Sequence, residues 1–155
     1  MMDLATILRP EAVKALHGAT SKKRLFQEIA DVANGVSGLD LTDICSALQE
    51  RENLGPTGVG HGIALPHARL ARVDSVFGVF IRLEKPLDFD SVDRQPVDLV
   101  FALLAPEDAG VEHLKALALV SRTMRDANVC AKLRANTNPA TLYTILTETQ
   151  NVQAA

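Results

Sequence analysis

The spacing of apolar residues changes along the chain, and each change predicts a different kind of element. Near the N-terminus, a short apolar stretch predicts a strand over Ala12–Leu16. Apolar residues then recur at helical spacing in two segments. These predict one helix over Ser21–Asn34 and a second that begins at Asp40 or Thr42 and ends near Glu52.

The ends of these helices carry local signals. Ser21 can cap the first helix, and Asn34-Gly35 is a typical helix end. The basic residues 22–24 follow the cap, and we interpret them as a solvated first turn, with a docking patch for an acidic partner as the alternative. The inner face of the second helix is expected to carry three apolar residues, Leu41, Ile44 and Leu48.

The middle of the chain is predicted to form strands. Residues 55–62, GPTGVGHG, contain four glycines and break the helical spacing. Three strand-like segments follow, Ile63–Leu65, Ser75–Leu83 and Val97–Leu104. The last of them is almost continuously apolar, as expected for a strand that is covered on both faces.

Helical spacing returns in the last third of the chain. The predicted helices run from Gly110 or Val111 to Ala127, over residues 128–134, and from a cap at Asn138 with Pro139 in the first helical position. Strands interleaved with helices predict an α/β fold, a mixed sheet flanked by helices on both sides. Because no repeat or long linker divides the chain, we expect a single domain over residues 1–155.

Composition argues against several classes of function. The net charge of −3 does not suit a surface that neutralises nucleic-acid phosphates, and 4% aromatic residues do not suit base stacking. The longest apolar run, Leu99–Ala105, is far shorter than the ~20 residues of a membrane helix. The N-terminus also lacks the pattern of a signal peptide. We therefore expect a cytoplasmic protein that binds no nucleic acid and does not insert into a membrane.

The two cysteines, Cys45 and Cys130, lie in apolar helical patterns, and the chain has no CxxC pair. We interpret them as small buried side chains in a reducing compartment. A catalytic or metal-binding thiol is the alternative.

The densest chemical signal is GVGHGIALPHARL, residues 58–70. It lacks the Gly-Lys-Ser/Thr end of a P-loop and does not fit the dinucleotide-binding glycine pattern. What remains is His67, which follows a short apolar strand and Pro66. Because Pro66 fixes its own φ and restricts Leu65, the backbone that enters His67 is stiff. A stiff backbone suits a histidine nucleophile that must meet a phosphoryl group in line, and imidazole is largely neutral at cellular pH.

Such a site needs hydrogen-bond donors or positive charge for the phosphoryl oxygens. Arg51 ends the second predicted helix, and His113 lies in the first turn of the helix after the last strand. His67, His113 and Arg51 also have ordinary interpretations, the first two as structural histidines and the third as a solvated helix residue. A metal site built from His61, His67 and His113 is a further alternative, but no HExxH or clustered ligand spacing supports it, and we predict neither metal nor cofactor.

The stretch RENLGPTGVGHGIALPHARL resembles the active-site segment of the EIIA domains of the phosphoenolpyruvate phosphotransferase system, in the fructose/mannitol branch. The match is best to the nitrogen-type regulatory EIIA and covers almost the whole chain, including SKKRLFQEIA, LEKPLDFDSVDRQPVDLVFALLAP and EHLKALALVSR. One departure is His61, where nitrogen-type relatives commonly have Asn.

The resemblance implies roles for particular residues. It implies that His67 is the phosphorylated histidine, that Arg51 and His113 flank the phosphoryl group, and that the mixed sheet has about five strands. The candidate neighbours of this site are His61, Gly60, Gly62 and Pro66.

The resemblance also implies partners. The donor would be a histidine-phosphorylated carrier protein of the HPr/NPr type, itself charged from phosphoenolpyruvate by an enzyme I. We expect a phosphocarrier that regulates target proteins, rather than a free-standing metabolic enzyme; the targets of relatives include potassium-transport regulators and stringent-response enzymes. The alternatives are a sugar-uptake EIIA that passes phosphate to an EIIB protein, and a non-enzymatic binding module whose histidines are vestigial.

Overall fold

A mixed β-sheet forms the centre of the fold in a computed structural model that describes residues 2–154, with side chains described for residues 2–148. Within this part of the chain the strands are β1 (Val13–Leu16), β2 (Gly58–Gly60), β3 (Ile63–Ala64), β4 (His67–Leu70), β5 (Phe77–Leu87) and β6 (Val97–Pro106). Their order across the sheet is β1-β5-β6-β3-β2, and β4 also pairs with β6. The predicted α/β class with a mixed sheet is confirmed.

The helices of the described residues alternate with groups of strands along the chain. They are α1 (Leu4–Ile7), a 3₁₀ turn (Pro10–Ala12), α2 (Lys22–Ser37), α3 (Leu41–Leu54), α4 (Gly110–Met124), α5 (Ala127–Arg134) and α6 (Pro139–Ala154). Helix α3 packs against α2 and against β4, which places its C-terminal end beside the start of β4. None of the helices described here is long and apolar enough to cross a membrane.

Strand β6 holds the sheet together because it pairs on both sides. It runs antiparallel to β5 and parallel to β3 and β4. All of its residues are buried except Asp98, which is half-buried. The Phe101 ring of β6 packs edge-on against Phe80 of β5, with 6.1 Å between the ring centroids. The prediction that this apolar segment forms a buried strand is therefore confirmed.

Strands β3 and β4 occupy a single position beside β6, separated by Leu65 and Pro66. The residue pairs before and after the break keep the same offset: Ile63↔Leu99, Ala64↔Val100, His67↔Leu103 and Ala68↔Leu104. The ladder is interrupted where Pro66 has no N–H to donate. The six described strands thus fill five positions, in agreement with the sheet that the resemblance implied.

Helix α2 ends later than predicted. Gly35 continues the helix, and Gly38 ends it in the left-handed conformation, with φ of 76°. Glycine adopts this conformation without a steric penalty because it has no Cβ. The predicted end at Asn34-Gly35 was wrong, and the Asn34 side chain instead donates to the Leu39 carbonyl beyond the helix, at 2.7 Å.

Other elements differ from the prediction in smaller ways. Helix α1 was not predicted, although Asp3 and Thr6 form a reciprocal capping box at its start. Leu41 is 41% exposed, so the inner face of α3 carries Ile44 and Leu48 but not Leu41. Two boundaries also moved: β5 ends at Leu87 rather than Leu83, and α4 ends at Met124 rather than Ala127.

Candidate active site

His67 is the first residue of β4, directly after the break in the strand. Its Nδ1 lies 2.8 Å from the Leu65 carbonyl oxygen. A carbonyl can only accept a hydrogen bond, so Nδ1 carries the proton and donates it. The neutral ring therefore has its lone pair on Nε2, which is the nitrogen available to attack an electrophile.

Arg51 lies in the last turn of α3 and approaches this same nitrogen. Its Nε is 3.4 Å from His67 Nε2, and its Nη1 donates to the Gly55 carbonyl at 3.0 Å. Because a guanidinium can only donate, the contact agrees with a lone pair on Nε2. The structure thus brings together two of the residues that the sequence predicted for the site.

Glu52, the next residue along α3, is buried and anchors the helix end. Its carboxylate accepts hydrogen bonds from the Lys22 Nζ at 2.9 Å and from the Thr57 backbone N–H at 3.0 Å. Lys22 also lies 5.0 Å from the centroid of the Phe89 ring. The interpretation of residues 22–24 as a solvated turn was therefore wrong for Lys22, whose side chain is only 20% exposed.

His113 lies in the first turn of α4 and is buried beside His67. The two ring centroids are 5.6 Å apart, with 68° between the ring planes. Its Nδ1 is 3.2 Å from Arg69 Nε, and its buried Nε2 has no hydrogen-bond partner among the described side chains. His113 is thus the third predicted residue at the site.

Arg51, His67, Arg69 and His113 line an open depression of about 780 Å³ between α3, β4 and α4. Apolar side chains form much of its wall and rim. Of these, Leu54 is 85% exposed and Leu114 is 65% exposed. Large apolar side chains that are exposed around a polar centre are typical of a surface that contacts another protein.

Both imidazoles are more easily kept neutral than a histidine in water. Burial lowers the pKa of His67 and the positive charge of Arg51 lowers it further, while the hydrogen bond to Leu65 and the charge of Glu52 partly oppose these effects. Burial also lowers the pKa of His113, with contributions from the charges of His67 and Arg69. His67 Nε2 therefore keeps its lone pair at neutral pH.

A comparison with known protein families shows the family of this chain. The family model described as "Phosphoenolpyruvate-dependent sugar phosphotransferase system, EIIA 2" matches residues 6–149. The chain belongs to this EIIA family.

The relatives of this EIIA chain include nitrogen regulatory proteins. It is 44% identical over 145 residues to the nitrogen regulatory protein of Bradyrhizobium diazoefficiens, covering 94% of this chain and 95% of the relative. It is 40% identical over 149 residues to that of Klebsiella oxytoca, covering 95% and 91%. The crystal structure of nitrogen regulatory protein IIA-Ntr from Neisseria meningitidis superposes with a TM-score of 0.86 at 36% identity, covering 92% and 98%. The resemblance to the nitrogen-type EIIA is confirmed.

His61 lies in a turn that faces a different part of the EIIA surface. Its φ is 58°, its N–H donates to Asp93 at 2.9 Å, and its carbonyl accepts from Arg134 at 2.7 Å. With Gly60 it lines a second depression, of about 880 Å³, beside α4 and α5. The depression around His67 includes neither residue.

The other two candidate neighbours have structural roles. A Cβ on Gly62 would lie 2.8 Å from Asp98 Oδ1, so glycine lets the Asp98–Arg134 ion pair pack against the turn. Pro66 is buried, directly precedes His67, and accepts a hydrogen bond from the Leu103 N–H at 2.9 Å. Of the four candidate neighbours, Pro66 is the one that adjoins His67.

The described side chains contain no group of three or more His, Cys, Asp or Glu residues that could hold a metal ion. Cys130 is buried, and its thiol donates to the Met124 carbonyl at 3.1 Å. Burial raises the pKa of this thiol, so it is a poor nucleophile. Cys45 is half-buried and packs against the core.

Two polar residues were not predicted from the sequence: Arg69, which lines the candidate site, and Glu52, which anchors the helix end beside it. Arg69 follows His67 by two positions, which puts both side chains on one face of a strand, but β4 was not predicted because Pro66 was taken as the end of the strand. Glu52 continues the buried stripe of Ile44 and Leu48 at helical spacing. A charged residue in an apolar stripe signals a buried partner.

The lowered pKa values predict how stability depends on pH. Between these values and the ordinary pKa of about 6.5, the unfolded chain binds protons at His67 and His113 that the folded chain does not. The free energy of unfolding should therefore fall as the pH falls below about 6.5, and this loss should stop below the lowered pKa values. We expect a His67→Gln, His113→Gln double variant to lose less stability over this range in urea unfolding measurements.

The control is His17→Gln, which removes an imidazole that is 82% exposed. An equally steep pH dependence in the wild type and the double variant would contradict the prediction.

Proposed function

We propose that this EIIA chain is a phosphoryl carrier with a regulatory role. His67 accepts a phosphoryl group on Nε2 from a histidine-phosphorylated carrier protein of the HPr/NPr type. The phosphorylated and free forms then bind target proteins differently. The observation that carries the proposal is the hydrogen bond between His67 Nδ1 and the Leu65 carbonyl, which leaves the Nε2 lone pair beside Arg51.

The transfer step needs no proton to leave His67. The Nε2 lone pair forms the new P–N bond while the P–N bond of the donor's phosphohistidine breaks. The donor's ring is protonated on its other nitrogen, so it leaves as a neutral imidazole that keeps the electron pair, and the His67 ring takes up the positive charge. Nδ1 remains protonated and hydrogen-bonded to Leu65, so the ring is held in one orientation throughout. Arg51 stabilises the negative charge on the transferring phosphoryl group, and the buried His113 Nε2 offers a further hydrogen-bond donor.

The apolar rim supports protein partners rather than a small substrate. Leu54 and Leu114 are exposed at a depression that is open enough for another protein's histidine to reach His67. Phosphorylation adds about −1.5 to −2 charges to this apolar surface. A target that buries the rim would respond strongly, because an unpaired charge is costly to desolvate.

The proposal predicts phosphorylation at a single position. Incubation with enzyme I, a carrier protein of the HPr/NPr type and phosphoenolpyruvate should add one phosphoryl group by intact-mass analysis, and His67→Ala should abolish it. The adduct should be acid-labile and base-stable, as expected for phosphohistidine. His17→Ala is the matched control at an exposed histidine and should be labelled normally. Unchanged labelling of His67→Ala would overturn the assignment.

We expect Arg51 and His113 to accelerate the transfer, and we expect the fold to remain intact when either is replaced. Removing a donor that stabilises charge in a transition state costs about 10²–10³-fold in rate, so we expect Arg51→Ala and His113→Ala to slow labelling at least tenfold. The rates would be measured by rapid quench at saturating donor. Arg122→Ala, at an exposed position of α4, controls for the loss of a positive charge. Rates equal to that control would exclude either residue from the transfer.

A sugar-uptake role is the second candidate, because the matching family is described as a sugar phosphotransferase system. The regulatory role is favoured by the nitrogen regulatory relatives, which match over more than nine-tenths of both chains. We expect the phosphorylated chain to transfer little phosphate onward to EIIB proteins of the fructose or mannitol type. Fast transfer to EIIB and then to sugar, measured with radiolabelled phosphoenolpyruvate, would favour the sugar-uptake role instead.

A further inference from the structure

Arg69 contacts the site through His113. It lies two residues after His67 in β4, and its Nε donates to His113 Nδ1 at 3.2 Å. A guanidinium has five donors and no acceptor, and it stays protonated at all physiological pH values. The hydrogen bond therefore requires the lone pair of His113 to be on Nδ1.

The position of the lone pair fixes the position of the proton. A neutral imidazole with its lone pair on Nδ1 carries its hydrogen on Nε2. This Nε2–H is buried, and no group among the described residues accepts its hydrogen bond. A buried donor without a partner is costly, so its retention beside His67 suggests an acceptor that arrives with the reaction.

We propose that Arg69 is a positioning residue that holds His113 in the Nε2–H tautomer, so that a donor is ready for the phosphoryl oxygens on His67. This inference rests on the proposed function. The opposite tautomer would present a lone pair to the phosphoryl oxygens and repel them. Arg69 thus acts through His113, whereas Arg51 reaches His67 directly.

The position of Arg69 separates this role from a general effect of positive charge. Arg72 follows three residues later, is also exposed, and donates to no histidine in the part of the chain that the structure describes. Replacing either arginine removes one charge from neighbouring surface, but only Arg69 donates to His113. Arg72→Met is therefore the matched control for Arg69→Met, and methionine keeps most of the apolar length of the arginine side chain.

The first test observes the tautomer itself. In ¹⁵N-labelled full-length protein at pH 7.5, long-range ¹H–¹⁵N spectra distinguish protonated from unprotonated ring nitrogens, and His→Gln variants assign the signals. We expect His113 to be a single Nε2–H tautomer in the wild type and in Arg72→Met. In Arg69→Met we expect a mixture of tautomers. A single Nε2–H tautomer in Arg69→Met would overturn the proposal.

The second test measures whether Arg69 acts through His113. We expect Arg69→Met to slow phosphorylation of His67 about fivefold, within the coupling expected for residues in contact. In a His113→Gln background the same change should have no further effect. An equal slowing in both backgrounds would show that Arg69 acts independently of His113 and would overturn the proposal.

The two tests separate this inference from the proposed function. If the wild type is not phosphorylated at all, the proposed function fails, while the spectra still report whether Arg69 sets the His113 tautomer. If the wild type is phosphorylated and the spectra do not change in Arg69→Met, the inference fails alone.

Discussion

The geometry around His67 depends on one interruption in a buried strand. Pro66 cannot donate to β6, yet the residue offset is the same before and after it. Leu65 turns its N–H to Thr57 and its carbonyl to His67 Nδ1, while the Pro66 carbonyl still accepts from Leu103. The chain thus leaves the ladder for two residues and rejoins it in register, and the released carbonyl holds the ring of the histidine that begins β4.

The charged groups of the site surround the two neutral imidazole rings of His67 and His113. Arg51 and Arg69 each donate to one imidazole, and each contact is possible only if that nitrogen carries a lone pair. Glu52, the next residue after Arg51, is occupied by Lys22 and Thr57. Its carboxylate is therefore already paired, and Arg51 and Arg69 are left to meet an incoming anion in a depression that Glu50 also lines.

Sequence patterns predicted the sheet, and the structure brings the predicted residues His67, Arg51 and His113 together, but the patterns did not predict the contacts between them. The apolar spacing found most helices and the buried strands, because burial controls that spacing. It missed β4, since Pro66 ends a run of apolar residues without ending the strand. His61, a candidate neighbour of His67, lies in a turn with φ of 58° and lines the other depression, beside α4 and α5. Long-range contacts such as Arg69 with His113 leave no periodic signal.

The anchoring of Glu52 has a consequence for how the two forms of the protein would differ. Through Glu52, Lys22 links the end of α3 to α2, and Thr57 links it to the chain entering β2, so the backbone directly after Arg51 is anchored. The addition of a phosphoryl group would then be accommodated by rotation of the Arg51 side chain rather than by movement of the helix. A partner protein would distinguish the two forms by the electric potential over one depression, on a surface whose shape stays the same.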